Sequence, residues 1–190
     1  MRLLVIGAHH GVGEHVVETA RRRGFDVTEF AADVLDAQAV SRAVSGHDAV
    51  VSTLGPRRDS PPALCSEGTR NVVDAMKAHG VRRLVQVTGA MIGHPRTRLG
   101  LVYRTIAAFV PKAQIEDRRT QERLVVESGL AWTLVRPTRL TDGPPRGRWR
   151  EGEDERVGAF ASIARRDVAS AIVSALEDEG TVGKSITLQY

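Results

Sequence analysis

The chain has 190 residues with 27 basic and 23 acidic side chains, a net charge of +4, and a length of this order suits one domain with one sizeable core. Hydrophobic residues at 42% and charged residues at 26% are the balance of a globular chain and exclude wholesale disorder. No apolar run approaches the roughly 18 residues that cross a bilayer, so a membrane span is excluded.

Leu3-Leu4-Val5-Ile6 runs into Gly7 and two histidines without the small-residue cleavage site of a signal peptide. The lone Cys65 cannot form an internal disulfide, and together these features lead us to expect a cytoplasmic protein. The basic residues are nearly all arginines scattered from Arg2 to Arg166, and aromatic residues make up only 4%. That pattern offers no tract for a phosphate backbone and little for base stacking, so nucleic acid is not an expected partner.

In chain order, the spacing predicts a strand at Arg2–Ile6, a helix from Gly11 to Arg23 and a strand at Asp26–Phe30. A short helix follows at Asp36–Val44, with Asp36 as its N-cap, then a strand at Ala49–Ser52 and a turn-rich loop from Gly55 to Pro62. The helix Ser66–His79 places Val72, Val73 and Met76 on one face, and a strand at Leu84–Thr88 comes next. An irregular stretch with Gly93, Pro95 and Gly100 precedes a helix at Ile115–Ser128 and a strand at Trp132–Val135. Pro137–Gly158 is expected as a loop, before a helix at Asp167–Glu177 and a closing strand at Ser185–Leu188. Gly24, Gly80, Gly129 and Gly180 each stand between a helix and a β-rich run, as left-handed caps do. This alternation predicts a single α/β domain over residues 1–190: a doubly wound, Rossmann-type parallel sheet with helices on both faces.

Gly7-Ala8-His9-His10-Gly11-Val12-Gly13 is a G-x-x-x-G-x-G loop between the first strand and the first helix. Gly7 permits the tight turn, Gly11 lets backbone approach a pyrophosphate, and Gly13 lets helix pack close to strand. The helix start then offers free N–H groups and the positive end of its dipole to phosphate.

The chain resembles the atypical, NmrA-like short-chain dehydrogenase/reductases that bind NAD(P)H, and among them the biliverdin-IXβ reductase/flavin reductase group. The resemblance extends over nearly the whole chain. It is carried by the glycine loop, by Gly46-His47-Asp48-Ala49-Val50-Val51 with Leu54-Gly55, and by the run from Ser66 to Val81. Glu127-Ser128-Gly129-Leu130-Ala131-Trp132-Thr133-Leu134-Val135-Arg136-Pro137 and Asp142-Gly143-Pro144 complete it. The resemblance implies NADP(H) as cofactor, with NAD(H) open, and no metal. It places phosphate contacts on Gly7, His9, His10, Gly11, Val12 and Gly13, and adenine contacts on Asp33 and Val34. The ribose side falls on Leu54 and Gly55, with Arg57 near the phosphates. The nicotinamide side falls on Val87, Thr88, Gly89, Pro137, Thr138 and Arg139. Thr88 and Arg139 are the candidate catalytic residues.

Three departures bear on the chemistry. Phe30 is followed almost at once by Asp33, so the segment that would supply a cation for a 2′-phosphate is missing. Asp33 lies twenty positions after Gly13, the offset at which an acid takes ribose hydroxyls, although Arg57 or Arg58 could fold in as a clamp. The Tyr-x-x-x-Lys pair of many relatives is also absent, because Tyr103 is followed four positions later by Ala107. Gly89 and Arg139 stand where the biliverdin/flavin reductases carry a Ser and a His.

Arg118, Arg119 and Arg139 could each hold an acidic substrate by bidentate pairing. Of these Arg139 is the better candidate, and Arg118 and Arg119 read as exposed helix charges, while Cys65 reads as structural and the six histidines lack metal-ligand spacing. The leading expectation is an NAD(P)H-dependent reductase of an electron-poor aromatic or conjugated small molecule, neutral or anionic, working as a monomer or small homo-oligomer. A non-catalytic dinucleotide sensor and a redox-neutral cyclase or isomerase on the same fold are the alternatives.

Overall fold

The computed structural model describes residues 1–56, 60–92, 105, 110–153 and 156–190. Arg57, Arg58, Gly93, His94, Pro95, Gly100, Tyr103 and Ala107 lie outside them. The elements are β1 (Arg2–Ile6), α1 (Val12–Arg22), β2 (Asp26–Phe30), α2 (Ala37–Val44), β3 (Ala49–Ser52), α3 (Leu64–His79) and β4 (Arg83–Val87). They continue with α4 (Lys112–Val126), β5 (Ala131–Pro137), β6 (Arg139–Thr141), β7 (Arg150–Gly152), β8 (Ser162–Ala164), α5 (Arg165–Glu177) and β9 (Lys184–Gln189).

Seven strands form one sheet in the order β2-β1-β3-β4-β5-β9-β7, parallel except where β7 runs antiparallel to β9. The chain leaves β1 first toward β2 and then returns to β3 on β1's other side, so a topological switch lies between β1 and β3. Ligands of open α/β sheets bind at the carboxyl ends beside such a switch. With only Ala31 and Ala32 between Phe30 and Asp33, α2 leads straight back to β3, and β2 is left as a half-exposed edge.

Alternation along the strands divides the core. Leu3, Val5, Val51, Val85, Val135 and Leu188 face α1 and α5, while Leu4, Ile6, Val50, Leu84 and Leu134 face α2, α3 and α4. Asp36 caps α2 by accepting from the N–H groups of Gln38 and Ala39 at 2.9 and 3.0 Å.

Two expectations need correction. The stretch 137–158 is not all loop: β6 pairs with β8 in a small parallel sheet, and β7 extends the main one. Gly180 is not a left-handed cap. α5 stops at Asp178, whose carboxylate accepts from the Gly180 N–H at 2.8 Å and closes a short turn, and Gly183 (φ +76°) makes the reversal into β9 instead.

Candidate active site

The glycine loop is built by two strands. Gly7 (φ +80°) needs the left-handed backbone, and a Cβ there would stand 2.6 Å from the Thr53 hydroxyl. Thr53, just past β3, donates that hydroxyl toward the carbonyls of Ile6 and Gly7, 3.1 Å from each. A Cβ on Gly13 would meet the Gly7 carbonyl oxygen at 2.0 Å, so only glycine lets α1 begin this close to β1.

Gly11 (φ +62°) leads into α1, and no side chain caps the helix start. No side chain therefore competes with an anion for the N–H groups of the helix start, of which that of Gly13 is donated to the His10 carbonyl. The Arg165 guanidinium stands beside Gly11, with Nε 3.7 Å from where its Cβ would be, and donates through Nη1 to Asp142 at 2.6 Å. This bare, uncapped turn fits a dinucleotide pyrophosphate. His9 and His10 are exposed on the loop; His9 Nδ1 lies 3.5 Å from Glu29, and the His10 carbonyl accepts from Gly13 N–H at 3.2 Å.

The adenosine-side candidates come together over α3. Gly68 permits this, because a Cβ there would lie 2.8 Å from both Leu54 and Val34. Asn71 donates to the carbonyls of Val34 and Leu35, and Asp33 accepts from Leu35 N–H at 2.9 Å.

Beyond β4 and β5 lies a cavity of about 620 Å³. Thr88, Gly89, Pro137, Thr138 and Arg139, five of the residues assigned to the nicotinamide side, line it. Val87 does not: its side chain packs into the core beside α1 and α5. The Thr88 hydroxyl donates to Glu122 Oε1 at 2.6 Å and the Thr138 hydroxyl to the Leu188 carbonyl at 3.1 Å, so both hydroxyl protons are engaged. Arg139 is exposed at the rim.

The reading of Arg118 is corrected. It is half-buried, lines the cavity from α4, and burial pulls its pKa below the usual guanidinium value. Gln114, Arg118, Gln121 and Val125 share one face of α4 at helical spacing, but three of the four are polar, so no apolar stripe marked that face in the sequence. Met91, Ile92, Ile115 and Phe160 are further wall residues that the sequence did not disclose. Among the described residues, no group of three His, Cys, Asp or Glu could hold a metal ion, and no helix is long and apolar enough to cross a membrane.

A family model described as NAD(P)H-binding matches residues 28–179. The chain is 30% identical to the 3-diazoavenalumate denitrifying reductase of a Streptomyces species, across 95% of this chain and 74% of that one. A candidate NADH-flavin reductase from Streptococcus pneumoniae superimposes with a TM-score of 0.80 at 21% identity, covering 100% of this chain and 99% of that one. A short-chain dehydrogenase/reductase from Veillonella parvula, solved with NADP, gives 0.83 at 17%, covering 100% and 94%. Structures described as epimerases share the fold as well. With its parallel sheet, its glycine loop and this match, the chain belongs to the NAD(P)H-binding, NmrA-like family of Rossmann-fold oxidoreductases.

Proposed function

We propose that the protein is an NAD(P)H-dependent reductase that passes a hydride to an electron-poor conjugated small molecule held in the cavity beyond β4 and β5. One observation carries the reading: an almost wholly apolar cavity opens at the carboxyl ends of these strands, in the same sheet whose first turn is the bare glycine loop. Such walls suit a flat conjugated acceptor and give a sugar few hydrogen-bond partners. The Streptomyces relative named as a reductase supports it.

In this reading Gly7, His9, His10, Gly11, Val12 and Gly13 hold the phosphates, while Asp33, Val34 and Leu54 hold the adenosine half. Gly55, Gly89, Pro137 and Thr138 border the nicotinamide half, where bare backbone at Gly89, with nothing described within 4 Å of its Cβ position, allows close approach. The bound nicotinamide supplies the hydride. The engaged hydroxyls of Thr88 and Thr138 make poor proton donors, so the product takes its proton from water. The protein contributes orientation and exclusion of bulk solvent, and Arg139 steers the acceptor at the rim.

Calorimetric titration with NADH and NADPH, followed by loss of reduced-nicotinamide absorbance with FMN, quinones or dyes, tests the proposal. Binding of a dinucleotide with turnover is expected. No binding of either ends the reading, and binding without any turnover replaces it with a sensor.

A further inference from the structure

Arg118 reaches the cavity from α4, its Nε is buried without a hydrogen-bond partner, and its Nη1 lies 3.2 Å from where a Cβ on Gly55 would stand. The three carboxylates of α4 within one turn of it in sequence take other donors. Glu116 lies 3.6 Å from Arg119, and Asp117 and Glu122 attract the Arg118 charge without pairing with it. Asp117 accepts from the backbone N–H groups of Cys65 and Ser66 at 3.0 and 2.9 Å. Glu122 takes both prongs of Arg136 and the Thr88 hydroxyl. Arg118 thus forms no ion pair with a described carboxylate.

A guanidinium stays charged under all ordinary conditions, and one stripped of much of its water is costly until an anion joins it. Its fixed fork matches a carboxylate in two parallel hydrogen bonds. The wall around it is apolar, with Ile92, Ile115 and Leu140 among its members, and the ring of Phe160 at the rim is 84% exposed. A bare aromatic ring beside a largely apolar cavity is the surface that a flat apolar body covers. The volume lies in the range of small-molecule sites.

We infer that the cavity binds an aromatic or conjugated carboxylic acid, with Arg118 gripping its carboxylate and its apolar body lying against Ile115, Leu140 and Phe160. The inference rests on the reductase reading above and adds the charge and class of the acceptor.

The test is calorimetric binding of 2-naphthoate and of methyl 2-naphthoate to the full chain, in wild type, Arg118→Met, Arg118→Lys and Phe160→Ala, with folding checked by circular dichroism. The acid is expected to bind the wild type. Arg118→Met should weaken it roughly 10- to 100-fold, the loss of a charge-assisted pair, and leave the ester unchanged. Arg118→Lys, which keeps the charge and loses the fork, should fall between. Phe160→Ala, a change on an exposed ring, should weaken acid and ester alike, and it remains informative if Arg118→Met does not fold.

No binding of the acid to wild type, equal losses for acid and ester at Arg118, or no effect at Phe160 each overturn the inference. NADPH titrated into the same samples separates the two readings. Arg118-dependent acid binding without any dinucleotide binding keeps this inference and ends the reductase proposal. Dinucleotide binding lost in Arg118→Met, with acid binding intact, assigns the guanidinium to the cofactor and overturns the inference.

Discussion

Glu122 on α4 and Arg136 on β5 form a two-pronged ion pair, Nε to Oε1 at 2.9 Å and Nη2 to Oε2 at 2.6 Å, with side chains only 9% and 3% exposed. The Thr88 hydroxyl shares Oε1, so one carboxylate ties α4, β5 and the end of β4 together behind the cavity. Removing one member of a buried pair strands the other charge and costs about 3–5 kcal/mol. Glu122→Ala is therefore expected to lower the unfolding free energy by about that amount in urea titration. A loss below about 1 kcal/mol, the range of an exposed pair, would show that water reaches Arg136 after all.

Gly13 and Gly24 make a matched pair for testing the loop. Alanine at Gly24 (φ +81°) meets no described atom within 4 Å and suffers only the left-handed backbone cost, about 1–2 kcal/mol. Alanine at Gly13 drives a Cβ against the Gly7 carbonyl and costs about 1–3 kcal/mol or more. The contrast to measure is dinucleotide affinity, expected to collapse in Gly13→Ala and to persist in Gly24→Ala. Equal affinities in the two variants would remove the loop from the binding site.

Cys65 is buried at the start of α3, and burial pushes its thiol up to about 12. Native protein at pH 8 is expected to resist iodoacetamide while denatured protein reacts readily, because the thiolate is the nucleophile. The folded value lies above the unfolded one, near 8.5. Its contribution to stability is thus complete below about pH 8.5 and is lost as the pH rises toward 12. Urea midpoints of wild type and Cys65→Ala across that range should converge as the pH rises; parallel curves would count against a buried neutral thiol.

Asp167 gathers three donors: the backbone N–H groups of Arg146 and Gly147, at 2.7 and 3.1 Å, and the Tyr190 hydroxyl. The Arg146 guanidinium lies over the Tyr190 ring at 4.0 Å. Tyr190→Phe removes one donor to Asp167 and the acceptor of the Ala164 N–H at 3.1 Å, and is expected to cost about 1–2 kcal/mol. Asp167→Ala strands all three and should cost more, about 3 kcal/mol. Thermal unfolding of the two variants gives the order, and the reverse order would mean that the Tyr190 hydroxyl matters more as acceptor for the Ala164 N–H than as donor to Asp167.

Where local pattern and burial agree, the sequence was legible. The bounds of β1, β2 and β3 match expectation residue for residue, since Leu-Leu-Val-Ile and Ala-Val-Val are short apolar runs closed by glycine or polar turns. Gly24, Gly80 and Gly129 take the left-handed conformation that their places implied. α4 was harder to read. Lys112 to Val126 is so rich in charge that no apolar stripe says which side is buried, and Arg118 looks the same as its exposed neighbour Arg119 until the packing of Gln121 and Val125 turns one inward and leaves the other in water. β6, β7 and β8 have three residues each and draw their order from pairing partners far away in sequence, which local propensity does not encode. The engaged hydroxyls of Thr88 and Thr138 were hidden for the same reason.

The hydroxyl of Thr53 gives the glycine loop a dependence that no short motif records. A segment comprising residues 1–23 contains every glycine of the turn, yet the group that holds the Ile6 and Gly7 carbonyls in place arrives thirty residues later, at the tip of another strand. Transplanting the loop into a different scaffold therefore means transplanting a neighbouring strand end as well, because a change at position 53 that removes the hydroxyl withdraws its hold on the Ile6 and Gly7 carbonyls. The heritable unit here is a junction of two strands, and a search pattern confined to consecutive residues sees half of it.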